Sequence, residues 1–313
     1  MTDKTQPGQR ASEGRGAADR LLVITAFTLR FDASHEQVVR RCDAVRSGAA
    51  LRQLVTYPLK SGAGIGAAHA EVTRRGLQDD RRWMVVDAQG DFLTARRIGR
   101  LLSVRAEPLE GGALRLSAPD HLSPLVASPD LDRAPIQVTV WKDRCAAHDL
   151  GDASADWMSH LLGQPCRVVW MPEATQRAVS GTQAHPRDIV SFADGFPILL
   201  TTEESLRAVS DGLAEPVPMA CFRPNIVIAG YEAFAERSWS SVRIGALEFD
   251  VAGPCVRCQM TVRHPATGVR RTDGQPLARL AELQATPEGV VFGVNLIPRQ
   301  LGTIRVGDPV LVS

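Results

Sequence analysis

Trp83-Met84-Val85-Val86-Asp87-Ala88-Gln89-Gly90-Asp91-Phe92-Leu93-Thr94 holds the fold in miniature. Its opening apolar run is too short for an ordinary helix and is rich in residues that pack well on a pleated surface. Asp87 to Gly90 follow as turn formers, with Gly90 free to take a positive φ, and a second apolar run begins at Phe92. The segment therefore predicts a β-hairpin. The same texture recurs from Leu51 onward. Val104 to Pro108 and Leu114 to Ser117 flank Glu110-Gly111-Gly112 as a second hairpin. Cys166 to Trp170, Ile198 to Leu200, Asn225 to Ala229, Leu247 to Val251 and Thr303 to Leu311 read as further strands.

Helical signals are fewer. Asp152 is placed to cap a helix carrying Trp157, Met158, Leu161 and Leu162, with Gly163 ending it. Thr201-x-x-Glu204 is a capping box for a helix through Leu206 and Val209 that stops near Gly212. Pro276 opens a third helix with Leu277, Leu280 and Leu283. No GxGxxG, internal repeat or strict strand-helix alternation is present, so the fold class is α+β, mainly β.

A chain of 313 residues has room for two modest domains. Its 36 basic and 35 acidic residues nearly cancel, which argues against a nucleic-acid or membrane partner and for a small-molecule one. The apolar stretch Leu21 to Phe27 is far shorter than the roughly 20 residues of a membrane helix, and it lacks a cleavage signal. A soluble, cytoplasmic protein is expected, and six scattered cysteines fit a reducing compartment. Residues 1–20 carry almost no large apolar side chain and are expected to be disordered. Residues 21–48 belong to no motif, so 1–48 reads as an N-terminal extension.

Cys255-Val256-Arg257-Cys258 is the most reactive pattern, with Arg257 in the same turn to favour a thiolate. By itself it leaves several readings open. Zinc needs two further ligands, for which Cys221, His148, His185 and His264 are candidates. A redox pair wants a βαβ context, whereas Gly253-Pro254 and Thr261-Val262-Arg263 read as a loop entering a strand. Two buried structural cysteines are the bland alternative. Elsewhere, Lys60-Ser61-Gly62 with Gly64 and Gly66 resembles an anion-binding loop without Walker A spacing. Arg74-Arg75, Arg81-Arg82 and Arg96-Arg97 are basic clusters that singly read as surface and jointly point to a phosphorylated or polyanionic ligand. Cys221-Phe222-Arg223-Pro224-Asn225 suits a heterocycle bearing a phosphate. Thr201 and Thr202 stand at a helix N-terminus. Asp79 and Asp80 are adjacent, so on a strand they face opposite sides and form no acid-base pair.

Tyr57-Pro-Leu-Lys-Ser61, Arg75-Gly-Leu77, Asp80-Arg-Arg-Trp83, Phe92-Leu-Thr-Ala-Arg96, His148-Asp-Leu-Gly-Asp152, Phe222-Arg-Pro-Asn225, Cys255-Val-Arg-Cys258 and Gly302-Thr-Ile-Arg-Val-Gly-Asp-Pro309 occur in one order. In that order they resemble proteins with a MOSC N-terminal β-barrel followed by a MOSC domain, a group that includes the mitochondrial amidoxime-reducing component and its bacterial relatives. The resemblance covers about residues 50 to 313. It implies a β-barrel-like domain over 50–145 and a β-barrel-based MOSC domain with a few peripheral helices over 146–313. It also implies a molybdenum cofactor (molybdopterin) whose metal is ligated by Cys258, a soft anionic sulfur beside the pterin dithiolene. Lys60, Ser61, Arg81, Arg223 and Asn225 fall on cofactor-binding positions, with further contacts from Asp194, Thr201 and Thr202. Pyridoxal phosphate binding is a further property associated with the family.

The implied activity is reduction of N-hydroxylated or other N-oxygenated compounds, with Cys258 at the catalytic metal. Because the sequence stops at Ser313 without an iron-sulfur domain, electrons are expected from a separate ferredoxin, flavoprotein or cytochrome. A molybdenum cofactor or sulfur carrier is the alternative. The family's Thr-Thr-Val-Asp-Pro-Asp-Thr-Gly reads Thr261-Val262-Arg263-His264-Pro265-Ala266-Thr267-Gly268 here, which puts substrate choice or electron entry in question.

Overall fold

Every residue of the strand Trp83–Val86 is buried. Alternate side chains leave a strand on opposite faces. Trp83 and Val85 join Leu101, Leu114 and Met158 on one side, while Met84 and Val86 join Val138, Val169 and Phe192 on the other. A strand covered on both faces has no polar side to write into its sequence, which is why the apolar run is unbroken. The predicted turn forms, with Gly90 at φ 84 and its N–H donating to the Asp87 carbonyl at 3.1 Å. Its second arm makes isolated bridges rather than a strand, Phe92 with Val86 and Asp91 with Thr139. The main partner is instead Arg167–Trp170, in a four-stranded antiparallel sheet completed by Asp143–Asp149 and Ile136–Val140.

The structure, a computed structural model, describes residues 48–119, 123–179 and 184–313. The expected disordered tail and the apolar stretch Leu21 to Phe27 lie outside the described residues. The second hairpin is present: Arg105–Pro108 pairs with Leu114–Ser117 across Gly111 and Gly112, both at positive φ. Leu125–Ala127 extends this meander. The helix Asp152–Leu162 buries Trp157, Met158 and Leu161 against it and ends on a left-handed Gly163. Gly151 rather than Asp152 is its N-cap, and the Asp152 carboxylate accepts instead from Arg167 Nη2 at 2.9 Å.

The larger sheet runs Ile65–Ala67, Ala50–Thr56, Ile226–Ala229, Ile198–Thr202, Gly289–Pro298, Leu247–Val256, Ser241–Ile244, Val310–Val312. All neighbours are antiparallel except Ile198–Thr202 and Ile226–Ala229, which are joined through the helix Glu203–Ser210 as a parallel crossover. The sheet closes on itself. Ala50 bridges to Pro309, and the Leu51 N–H donates to the Asp308 carbonyl at 2.9 Å. Leu51, Leu54, Ile226, Phe249, Leu296 and Val310 fill the resulting barrel. With 39% strand against 18% helix, the molecule is α+β and mainly β.

Pairing does not respect chain order. Arg167–Trp170 joins Trp83–Val86, Ala50–Thr56 joins Ile226–Ala229, and Gly302–Arg305 joins His69–Thr73. Each end of the chain thus completes sheets of the other, across the division expected near residue 145. Two strand readings change. Thr303 to Leu311 splits into Gly302–Arg305 and Val310–Val312 around Gly307 at φ 97. Leu247–Val256 continues through Gly253 and Pro254, which two register shifts absorb. Among the described residues, no helix is long and apolar enough to cross a membrane.

Candidate functional site

Beyond Thr56 the chain leaves the barrel through Tyr57, and the Lys60 N–H is tied to the Trp83 carbonyl at 2.7 Å. This turns Lys60 and Ser61 into a cavity of about 370 Å³. The cavity also takes Arg81, Arg96, Asp194, Arg223, Asn225, Cys255, Arg257 and Cys258. Five cationic side chains therefore face a single lining carboxylate, Asp194, and the space suits an anionic ligand.

The backbone is bent to present them. Ser61, Arg81 and Arg223 adopt positive φ angles of 68°, 49° and 57°. Left-handed backbone costs a non-glycine residue about 1–2 kcal/mol, and such strain persists only where the surroundings impose it. Tyr57 explains part of the arrangement. Two guanidinium groups lie over its buried ring, Arg81 at 4.3 Å and Arg223 at 4.1 Å from the centroid. Burial pushes the Tyr57 phenol up and the Arg223 guanidinium down to about 10, with neighbouring Arg81 adding to the latter shift. Arg223 Nη1 donates to the Gly62 carbonyl at 2.6 Å, while Nη2 is buried without a partner.

Lys60 is 4% exposed. Its ammonium donates to the Phe192 carbonyl at 2.7 Å and to Asp194 Oδ1 at 2.6 Å, leaving one of three donors for a ligand. Burial lowers its pKa, and Asp194 opposes that. Crowding by protein works against the charge on Asp194, but Lys60, Arg96 and the Trp141 indole N–H prevail and hold the carboxyl well below the usual range. Its side chain is 58% solvent-accessible, so this effect is screened. The loop bearing Asp194 is clamped by buried Arg177, which donates to the carbonyls of Ser191, Ala193 and Asp194 and to Asp143 Oδ2.

Cys255 and Cys258 end a strand rather than begin one. Cys255 lies in Leu247–Val256, and Cys258 caps the 3₁₀ turn Gln259–Val262, its carbonyl accepting from the Thr261 N–H and hydroxyl. The strand after the motif that the sequence promised is therefore this turn. Each sulfur accepts from an arginine: Cys258 from Arg96 Nε at 3.3 Å, Cys255 from Arg257 Nη1 at 3.0 Å. Cys221 also lines the cavity, but burial raises its thiol to about 11. Among the described residues, no group of three or more His, Cys, Asp or Glu side chains gathers as a metal site.

Of the residues singled out in the sequence, Lys60, Ser61, Arg81, Asp194, Arg223, Asn225 and Cys258 converge on the cavity. Thr201 and Thr202 do not. Thr201 closes the strand Ile198–Thr202 with its hydroxyl on the Met219 sulfur, and Thr202 caps the helix by accepting from the Ser205 N–H at 3.1 Å. The N-cap lies one residue later than the capping-box pattern implied, with Ser205 rather than Glu204 three residues on, and both threonines are fully buried. Asn225 reaches the cavity with its amide already engaged. Nδ2 donates to the Val55 carbonyl and Asp80 Oδ1, and Oδ1 accepts from Arg81 Nη1 and the Leu199 N–H. Asp79 and Asp80 sit in a turn, not on a strand. Arg96, Arg177 and Tyr57 are the residues shaping the cavity that sequence reasoning underrated. Arg96 was visible only as one member of a basic cluster, and nothing local marked Arg177.

Comparison with known proteins identifies the scaffold. Residues 48–165 match the MOSC N-terminal beta barrel domain and residues 187–311 the MOSC domain. The chain is similar to mitochondrial amidoxime-reducing component 1 of Mus musculus, at 32% identity over 97% of this chain and 93% of that protein. The chain belongs to the MOSC family. Within that family it is also similar to mitochondrial amidoxime-reducing component 1 of Homo sapiens, 33% identical over 87% of this chain and 85% of that protein. A molybdenum cofactor sulfurase of Oryza sativa subsp. japonica is 30% identical over 79% of this chain, which corresponds to 32% of that longer protein. In the MOSC protein described here, the cavity lies between elements drawn from both matched regions.

Proposed function

We propose that this MOSC protein binds a molybdenum cofactor through Cys258 and reduces N-hydroxylated compounds with electrons from a separate donor protein. The observation that carries the reading is the meeting of Cys258, its sulfur 3.3 Å from Arg96 Nε, with four further cations around one cavity. The donor set fits the group. Lys60, with its third donor, the Ser61 hydroxyl and Arg223 would hold a pterin phosphate, and the half-buried Cys258 sulfur would suit a soft metal. Pyridoxal phosphate forms no part of the proposal, because the Lys60 ammonium is held by Phe192 and Asp194.

For an amidoxime the balance is RC(=NOH)NH₂ + 2e⁻ + 2H⁺ → RC(=NH)NH₂ + H₂O. Molybdenum, when bound, supplies the two-electron chemistry beside the Cys258 sulfur. The protein supplies position and charge. Arg96 holds the sulfur and shares its charge with Asp194 Oδ2 at 2.9 Å. Asp194 stays a carboxylate and so orients Lys60 and Arg96 without giving up a proton. Arg81 and Arg223, braced against Tyr57, set a rigid pair of donors for the anionic end of the cofactor.

The test is molybdenum content and fluorescent pterin oxidation products in purified protein, with Cys258→Ser alongside, then benzamidoxime reduction by reduced methyl viologen. Loss of metal and activity together in Cys258→Ser is expected. Full metal retention in that variant would refute the ligand assignment. The similarity to a cofactor sulfurase supports a second reading, a cofactor or sulfur carrier. It is distinguished by bound cofactor without amidoxime reduction.

A further inference from the structure

Two segments beside Cys258 carry arginine and no carboxylate. Residues 94–104 hold Arg96, Arg97 and Arg100, and residues 252–272 hold Arg257, Arg263, Arg270 and Arg271, with neither Asp nor Glu in either stretch. The segments are locked together. Arg263 Nη2 donates to the Arg96 carbonyl at 3.1 Å and Nη1 to the Gly268 carbonyl at 2.8 Å. Gly99 and Gly268 approach so closely that a Cβ on Gly268 would fall 2.0 Å from the Gly99 carbonyl oxygen. The result is one cationic crest on a chain whose net charge is only +1.

Two exposed charges on the crest, Arg97 and Arg270, stand without an acidic partner among the described residues; Arg270 meets only Gln259 Oε1. Nearby acids are already engaged, Asp194 by Lys60 and Arg96, and Asp273 and Glu215 by Arg271. Between the exposed arginines Val269 is 66% accessible, an apolar contact at the centre of a charged rim. Arg96 connects this crest to the Cys258 sulfur at 3.3 Å.

We propose that the crest formed by residues 94–100 and 263–270 is the docking surface for an acidic one-electron carrier protein that delivers electrons toward Cys258. The proposal rests on the reductase reading, which requires such a partner. Charge complementarity around a small apolar centre is the arrangement that gives fast, salt-sensitive, transient encounters. Each turnover takes two successive one-electron deliveries, with protons drawn from water. Arg263, His264 and Ala266 stand where the family pattern has Val, Asp and Asp, so the crest is more cationic here than that pattern provides. The altered segment after Cys258 thus bears on which donor docks, without touching the metal ligand.

The experiment uses an acidic [2Fe–2S] ferredoxin as donor and the molybdenum-loaded full chain, compared with Arg97→Glu/Arg270→Glu and the milder Arg97→Gln/Arg270→Gln. Calorimetry is expected to show binding at about 20 mM salt that is lost by about 300 mM, where screening shortens to roughly 6 Å. Charge reversal should weaken binding about tenfold or more, with an intermediate loss in the Gln pair. Ferredoxin-driven benzamidoxime reduction should fall in parallel while viologen-driven reduction is unchanged. Undetectable ferredoxin binding by the parent chain, or equal binding by parent and reversed variant, overturns the proposal. So does capture of the parent by phosphatidylserine vesicles in place of ferredoxin. If viologen drives no reduction while ferredoxin binding still follows the charges, the reductase reading fails and the docking surface stands. If viologen works and binding ignores the charges, the reverse holds.

Discussion

Replacing Asn225 tests whether the cavity is held from beneath by this one amide. The side chain is 1% exposed and uses its full capacity of two donors and two acceptors, at 2.9 to 3.2 Å. Asn225→Ala leaves the Val55 carbonyl and the Leu199 N–H without that partner and takes a donor from Asp80. Each buried group so abandoned costs about 1–3 kcal/mol, and entry of water from the cavity returns part of it, so a net loss of about 3–5 kcal/mol is expected. For a folded unit of this size that lowers Tm by about 10 °C. Asn225→Asp keeps the shape but turns lone pairs toward the Val55 carbonyl and Asp80. It should be at least as damaging near neutrality. The new carboxyl is favoured in its protonated form by the fold, so the native state binds the extra proton and the deficit shrinks as pH falls toward about 5. Thermal and urea unfolding at about pH 7.5 and about pH 5 measure both variants. An alanine variant within about 1 kcal/mol of the parent, or an aspartate variant with no recovery in acid, would refute the reasoning.

Thr202→Ala should cost about 1 kcal/mol through the lost N-cap, whereas metal and pterin content should not change; depleted cofactor would return Thr202 to the binding set. Asp194→Asn tests linkage. A depressed carboxyl contributes stability that is present above about pH 4 and lost as pH falls toward its folded value, so parent and variant melting curves should converge below about pH 4. Divergence there contradicts the Lys60 and Arg96 pairing. Gly268→Ala combines φ 72 with a clash against Gly99 and is expected to cost more than about 2 kcal/mol while lowering molybdenum retention. Normal retention and an unchanged Tm would show that the two arginine-bearing segments are not locked.

What the sequence revealed depended on whether the cause was local. Gly90, Gly111 and Gly163 announced their turns because the backbone there needs a conformation that glycine takes freely. The cationic cavity was legible in part because one cation, Lys60, and one hydroxyl, Ser61, stand beside Gly62, Gly64 and Gly66. The barrel seam, the strand exchange and the Arg177 clamp were not, since their partners are far apart in the chain and carry no local mark. Thr201 and Thr202 show the same limit at short range. Both satisfy a capping pattern, and only the register of the strand Ile198–Thr202 decides which hydroxyl meets the helix. Ser61, Arg81 and Arg223 show the opposite failure, because non-glycine residues in left-handed backbone contradict local preference and follow from packing around Tyr57.

The seam that joins Ala50 and Leu51 to Asp308 and Pro309 has a consequence during synthesis. A chain emerging from the ribosome pairs Ala50–Thr56 with Ile65–Ala67 early, but the neighbour on its other side is made much later; Asn225, which bonds the Val55 carbonyl, follows 170 residues after it. Until then that strand offers one unpaired edge, the condition under which nascent chains stick to one another or wait on chaperones. Lys60 and Arg81 come early and Cys258 late, so the cavity exists only after the barrel has closed. On the proposed reading, cofactor loading is therefore a step for a chain whose barrel has already closed.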